Sequence, residues 1–348
     1  MASLAVAPVE GHDEREGCAS SGGTRPCPLC GTTDATELLE TGVRSITGET
    51  YRVVQCSECD LRYTRPLPVP DELEAVYGQD YIIYHSVATT ARRPWRLNVD
   101  ALTSLYMQTL FWDRRRALLG RRPGRLLDVG CGTGDFLLTL KQRGWNVCGT
   151  EFSDAACAMA RARGIPVEQA ELASVGFPDR YFDVVTLWHV LEHLEDPFAT
   201  LAEVRRILRD DGLLIVEVPN SACLAFRLCK KDWFMLEVPQ HVQHFTPHTL
   251  RSLLQRAGFE PVYRQNLRFW NFHIDFYSFL NALRLRERFN IRYFSKDFAR
   301  APWRSKLLFA ALAGPLALLS LPYSVLTTLL TGNAEIVTMT AHKTEPIR

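Results

Sequence analysis

The chain has 348 residues, 47% of them hydrophobic, with 40 lysines and arginines against 39 aspartates and glutamates. That length admits one large core and a smaller attached unit, and the near-even charge excludes a global field that would gather nucleic acid. Ten cysteines are too few for a secreted disulfide scaffold of this size. Residues 1–23 carry small and acidic residues without a hydrophobic segment, so they read as a disordered tail and not as a secretory signal. The expected compartment is the cytoplasm, with contact at the inner membrane surface raised by the C-terminal third.

Cys27-Pro-Leu-Cys30 and Cys56-Ser-Glu-Cys59 form a C-x2-C…C-x2-C pattern with 25 residues between the pairs. Two such knuckles bring four soft thiolates to one tetrahedral ion, most simply Zn²⁺. Leu38–Leu39 and Tyr51–Val54 read as short strands between them. So small a ribbon, residues 24–65, needs a metal staple because its own core is too small. Four cysteines with no histidine or acid substitute describe a closed structural site. Pro66, Pro68 and Pro70 then suggest an extended connector. Asp71 would cap a short helix over Glu72–Tyr77, and Asn98–Leu119 has helical apolar spacing, so residues 66–122 read as connector and helical cover.

Leu126–Val147 is the stretch on which the rest is organised. An apolar strand, Arg125–Val129, meets Asp128 and then Gly130, Gly132 and Gly134, and an amphipathic helix follows. Glycine permits sharp turns and close backbone approach to a ligand, and amides at a helix start hold anions. A dinucleotide fingerprint would read G-x-G-x-x-G; here the third glycine comes one residue early. Trp145–Thr150 is the next strand and delivers Glu151, 21 residues beyond Gly130. Further strands are expected at Ile165–Gln169, Tyr181–Leu187, Gly212–Pro219, Phe259–Arg268 and Ala334–Ala341, with helices at Ala155–Arg163, Ala199–Leu208 and Pro247–Ala257. Asp210-Asp211-Gly212 reads as the stop between the second of these helices and its strand.

The D-x-G-x-G-x-G loop resembles that of the class I S-adenosylmethionine (SAM) methyltransferases, and the cysteine knuckles resemble bacterial members with an amino-terminal zinc ribbon. The resemblance implies an α/β fold: a doubly wound, Rossmann-like sheet of seven strands over residues 123–268 and 334–343, the seventh antiparallel after the sixth. It implies a SAM pocket lined by Asp128, Gly130, Cys131, Gly132, Gly134, Glu151, Phe152, Glu171, Leu172 and Leu187. Glu151 would take the ribose hydroxyls, Phe152 would neighbour the adenine, and Glu171 would stand where the family usually has aspartate. Glu192, His193, Asp196 and Pro197 match the family's E-H-x-x-D-P segment, and the run through His241, His244 and Phe245 matches another.

His189 and His193 are spaced i, i+4, which puts them on one face of a helix. The glutamate of H-V-L-E-H is misplaced for a zincin site, so metal binding there is not expected. His189, His241 and His244 are the candidates for a general base, each with the alternative of fixing a loop by hydrogen bonds. Residues 269–333 form a long insertion between the last two strands, at the catalytic edge. Trp270–Lys306 holds eight lysines and arginines against three acids, and Leu307–Leu330 runs 24 residues without a charge. Length and hydrophobicity suit a membrane span, but a single crossing would separate the last strand from its sheet. Gly314-Pro315 and Pro322 are expected to interrupt the helix. Two readings stay open: apolar pieces lying in a membrane surface, or a helical lid or homodimer face.

Either reading surrounds the active site with apolar surface. The expected activity is therefore O-methylation of a hydrophobic or lipid-linked small molecule, with SAM and structural zinc as cofactors. The alternatives are a C-methyltransferase acting on a sugar or another carbon acid, and a non-catalytic scaffold that kept the fold.

Overall fold

The computed structural model describes residues 25–44, 50–69, 71–73, 114–264, 272–285 and 302–344. The expected tail, most of the helices at 72–77 and 98–119, and the arginine-rich stretch at 286–301 lie outside these.

Three strands build the ribbon: β1 (Ala35–Arg44), β2 (Thr50–Cys56) and β3 (Arg62–Arg65), antiparallel in order. The first two are longer than the apolar runs suggested. A fourth strand, β9 (Gln243–His244), comes from the other end of the chain and pairs with β3, Arg62 opposite His244 and Tyr63 opposite Gln243. Ribbon and main domain thus share one sheet. Buried Cys27, Leu29, Val54, Cys56, Leu61 and Tyr63 belong to the same apolar cluster as the main sheet's Leu127, Val185 and Val216.

The main sheet has seven strands in the order β10-β11-β8-β7-β4-β5-β6. These are β4 (Arg125–Val129), β5 (Asn146–Thr150), β6 (Val167–Glu168), β7 (Phe182–Trp188), β8 (Leu208–Pro219), β10 (Phe259–Arg264) and β11 (Ile336–Lys343). The five from β6 to β8 are parallel, and β11 inserts antiparallel between β8 and β10. This is the expected doubly wound sheet with its seventh strand reversed. Parallel strands covered on both faces read as apolar runs, which is why β4, β7 and β8 were legible. One boundary differs. Asp210–Gly212 does not stop the chain before its strand; β8 already begins at Leu208, and its register on β7 jumps from Phe182↔Leu208 to Val184↔Leu213. The surplus residues are taken up as an irregularity of the kind that bulges absorb.

Helices α1 (Asp135–Lys141), α2 (Asp154–Ala162), α3 (Leu172–Val175), α4 (Pro197–Ile207), α5 (Leu224–Cys229) and α6 (Pro247–Arg256) connect or flank these strands. Asp196 caps α4 through the amides of Phe198 and Ala199, with Pro197 at the first turn. Thr246 and Thr249 close a capping box on α6.

Between β10 and β11 stand α7 (Phe272–Ala282) and α8 (Trp303–Thr331). The expected interruption of α8 is not found: it is one 29-residue helix with Pro315 and Pro322 inside it, about 43 Å long at 1.5 Å per residue. Each proline removes one amide bond, a local loss of about 3 kcal/mol, while packing on α7 holds the rest. Leu280, Leu285, Phe309 and Ala313 form one cluster, and Phe279 meets Tyr323 edge-on at 5.2 Å. The sides of α8 are inverted relative to an ordinary surface helix. Ser320, Ser324, Thr327 and Thr328 are buried, whereas Leu318 is 79% and Leu330 76% exposed, with Leu307, Leu308, Leu319, Leu326 and Leu329 also exposed. Among the described residues, α8 is the one helix long and apolar enough to cross a membrane.

Gly149 on β5 is where sheet and loop are packed most tightly. A Cβ there would stand 2.3 Å from Cys131 Sγ and 2.7 Å from Cys131 Cβ. Gly149→Ala is expected to destabilise the protein by about 1–3 kcal/mol through overpacking, measured as a lower urea midpoint; an unchanged midpoint would contradict this packing.

Candidate active site

Strands β4, β5 and β7 end together: Val129 is opposite Thr150 on one side and Leu187 on the other. The chain leaves β4 through Gly130, Gly132 and Gly134, all at positive φ. At Gly130 a Cβ would also approach Val190 Cγ2 to 2.9 Å, so backbone conformation and space both select glycine. The Cys131 amide donates to Thr150 O at 3.0 Å, and its side chain is buried against β5. The loop therefore turns its backbone, not the cysteine, toward the crevice.

Glu151 is buried at the end of β5. One carboxylate oxygen accepts from the Gly132 amide at 2.9 Å; the other accepts from the amides of Phe152 and Ser153, each at 3.0 Å. Beside it Phe152 is 59% exposed, an aromatic face at the mouth of a glycine turn. Asp128 is buried, and Thr186 Oγ1 donates to it at 2.5 Å. Burial raises its carboxyl pKa to about 7, partly offset by the Thr186 bond and the Arg114 charge. A carboxylate at a strand end, an exposed ring and an open glycine turn fit an adenosyl group. Leu172 is buried and Glu171 exposed at the start of α3. Leu187, at the end of β7, is fully buried in the same core cluster as Leu172.

The histidines stand differently from the sequence reading. His189 and His193 share no helix face. His189 follows β7 at φ 57, and only a short 3₁₀ turn, Leu191–His193, comes after it. His189 Nδ1 lies 3.1 Å from Glu192 Oε1 and Nε2 3.4 Å from Glu217 Oε1. Burial alone would lower its pKa, but the bonds and charges of the two glutamates outweigh it and raise the value to about 9. Both of its nitrogens are directed to carboxylates, which hold the ring in place and leave neither nitrogen turned to an acceptor. Fully buried Glu217 also meets Arg114 at 3.3 Å and Thr338 Oγ1 at 3.0 Å. Burial of His244 pushes its pKa down to about 3, and its Nε2 lies 3.0 Å from Thr64 Oγ1 of the ribbon. It is a seam residue, not an open base. His241 is buried, with Nδ1 2.9 Å from Met235 O and burial holding its pKa well below the ordinary value.

Sequence reading missed Arg114, Thr186 and the role of Glu217. The signal for Glu217 was present as the one acid in the apolar run Gly212–Pro219; Arg114 had none, because its partner is 103 residues away.

In the ribbon, Cys27 and Cys59 sulfurs lie 3.5 Å apart and those of Cys30 and Cys56 3.4 Å apart. All four fall within 4.8 Å of one another, a donor set suited to tetrahedral Zn²⁺.

Residues 105–264 match the methyltransferase-domain family. A demethylmenaquinone methyltransferase of Thermus thermophilus is 33% identical over 180 residues, 43% of this chain and 82% of that protein. A ubiquinone biosynthesis O-methyltransferase of Cereibacter sphaeroides is 29% identical over 160 residues, 42% of this chain and 64% of that protein. A solved SAM-dependent methyltransferase of Archaeoglobus fulgidus shares 18% identity at TM-score 0.44, covering 68% of this chain and 94% of that one. With its strand order and its glycine turn, this chain belongs to the class I SAM-dependent methyltransferases.

Proposed function

We propose that this protein methylates a hydroxyl of a hydrophobic, membrane-resident small molecule. The observation that carries the reading is α8, which lies between the last two strands and turns leucines outward while burying its hydroxyls. In water that arrangement is unfavourable by about 25 cal/mol for each Å² of apolar surface left exposed. Against acyl chains it is favourable. Trp303, exposed and under the Arg304 guanidinium at 5.6 Å, suits the headgroup level at one end of the helix. The quinone-pathway names of the two relatives agree with an oily acceptor.

SAM supplies an electrophilic methyl group bonded to a sulfonium. In this reading the Gly130–Gly134 backbone receives the amino-acid part, Glu151 the ribose hydroxyls, and Phe152, Glu171 and Leu172 the adenine. Direct displacement leaves positioning as the protein's largest contribution. The acceptor hydroxyl would pass its proton to solvent as its oxygen takes the methyl group, and His189, both nitrogens already held by Glu192 and Glu217, would wall the acceptor site. The same arrangement would serve an enolate carbon, which keeps carbon methylation as the second reading. Cys27, Cys30, Cys56 and Cys59 hold a structural Zn²⁺ that fixes β3 for its pairing with β9.

Purified protein incubated with labelled SAM and separated lipid and polar metabolite extracts is expected to label a lipid-extract product with the methyl group on oxygen. Label confined to the polar extract would overturn the reading. In flotation with vesicles containing anionic lipid, the parent protein should rise and the Leu318→Gln/Leu319→Gln variant should stay at the bottom. Equal recovery of both at the bottom would remove the membrane from the account.

Asp128 yields a pH prediction. Its pKa, raised from 3.8 to about 7, lets the folded state keep a proton that the unfolded chain releases. Unfolding free energy therefore falls as pH rises through that window. Asp128→Asn should flatten the fall and make the ligand-free protein more stable above pH 7 by roughly 2–4 kcal/mol. The same substitution should weaken binding of cationic SAM, measured by calorimetry. Loss of stability at pH 8 together with unchanged affinity would refute the assignment.

A further inference from the structure

Glu192, His193 and His241 come together from two loops that the sequence does not connect. Glu192 and His193 follow β7, and His241 precedes β9. One ligand atom from each lies within 4.8 Å of the other two. Glu192 is almost fully buried, and its Oε2 has no hydrogen-bond partner although Oε1 is held by His189 at 3.1 Å. A buried carboxylate oxygen without a partner is costly unless something cationic or protic meets it.

The two imidazoles are oriented by their other nitrogens. His193 Nδ1 lies 3.1 Å from Gln240 O and His241 Nδ1 2.9 Å from Met235 O. A backbone carbonyl only accepts, so in the neutral ring the proton sits on Nδ1 and Nε2 carries the lone pair. Backbone carbonyls behind metal-binding histidines set the tautomer in this way. The rings cross edge to face with centroids 4.6 Å apart, and Glu237 Oε2 stands 3.4 Å from His241 Nε2.

We propose that Glu192, His193 and His241 bind a divalent cation, with Glu237 beside them as a fourth donor. Two imidazole nitrogens and carboxylate oxygen form a borderline set suited to Zn²⁺ or Co²⁺. The pairing is not the His189–His193 pair raised by the sequence; His189 instead orients the Glu192 carboxylate from behind. The ion would tie the loop that follows β7 to the segment the ribbon holds. On one side Val242 N donates to Glu192 O at 2.9 Å; on the other Thr64 Oγ1 donates to His241 O at 2.9 Å.

The test uses the full chain equilibrated with Co²⁺, freed of excess ion, and read by elemental analysis and absorption. The parent should hold about two equivalents, one with the thiolate-to-cobalt charge-transfer band of the cysteine cluster and one with ligand-field bands alone. Glu192→Gln and His241→Gln should each fall to about one equivalent with the thiolate band unchanged, which also reports that the ribbon is folded. A parent holding only the thiolate-bound ion overturns the proposal, as do variants that keep the second ion. Were the ribbon not to bind metal, the thiolate band would be missing while the second site's bands remained, so the two assignments fail separately.

Discussion

Parallel pairing of β4 with β5 and β7 is the constraint on which the rest depends. The register sets Asp128 between Gly149 and Thr186, and it ends three strands at one edge. Parallel neighbours cannot be joined by tight turns, so every connection must leave that edge by climbing over it. The steepest exit is the glycine turn, and the carboxylate delivered by the neighbouring strand already holds it through the Gly132 amide. A crevice at strand ends follows from topology; its chemistry follows from which side chains those strands deliver.

Those side chains place charge where water is scarce. Glu217 would be prohibitively unfavourable in the sheet without compensation. Arg114, His189 and Thr338 supply it. One desolvated acid thereby fixes a cover residue, the loop after β7 and the strand that returns from the insertion. The ribbon is joined to this arrangement by β3–β9 pairing and by Thr64, whose hydroxyl serves both His241 and His244. A cysteine ribbon that first reads as an appendage is therefore joined to the segment that carries His241 and His244.

Local features were legible in the sequence and long-range ones were not. The D-x-G-x-G-x-G turn, Glu151 at its strand end and the apolar strands were evident because each depends on a few adjacent residues. The reversed final strand came from family resemblance and agrees with the β10-β11-β8 order. The prolines of α8 misled because propensity describes an isolated helix, whereas α7 packs along this one. The i, i+4 spacing of His189 and His193 suggested a helix, but the chain there is held by distant groups: Glu217 on another strand and the carbonyl of Gln240. The addition of β9, from the main domain, to the ribbon's sheet had no local signature at all.

The central claim is that the turn beginning at Asp128 receives an adenosyl amino acid. A crystal structure with S-adenosylhomocysteine tests it most directly. Adenosine is expected over Phe152, with the Glu151 carboxylate turned from the Gly132 amide to the ribose hydroxyls and the sulfur facing His189. Ligand bound elsewhere, with Glu151 still closed on Gly132, would contradict it.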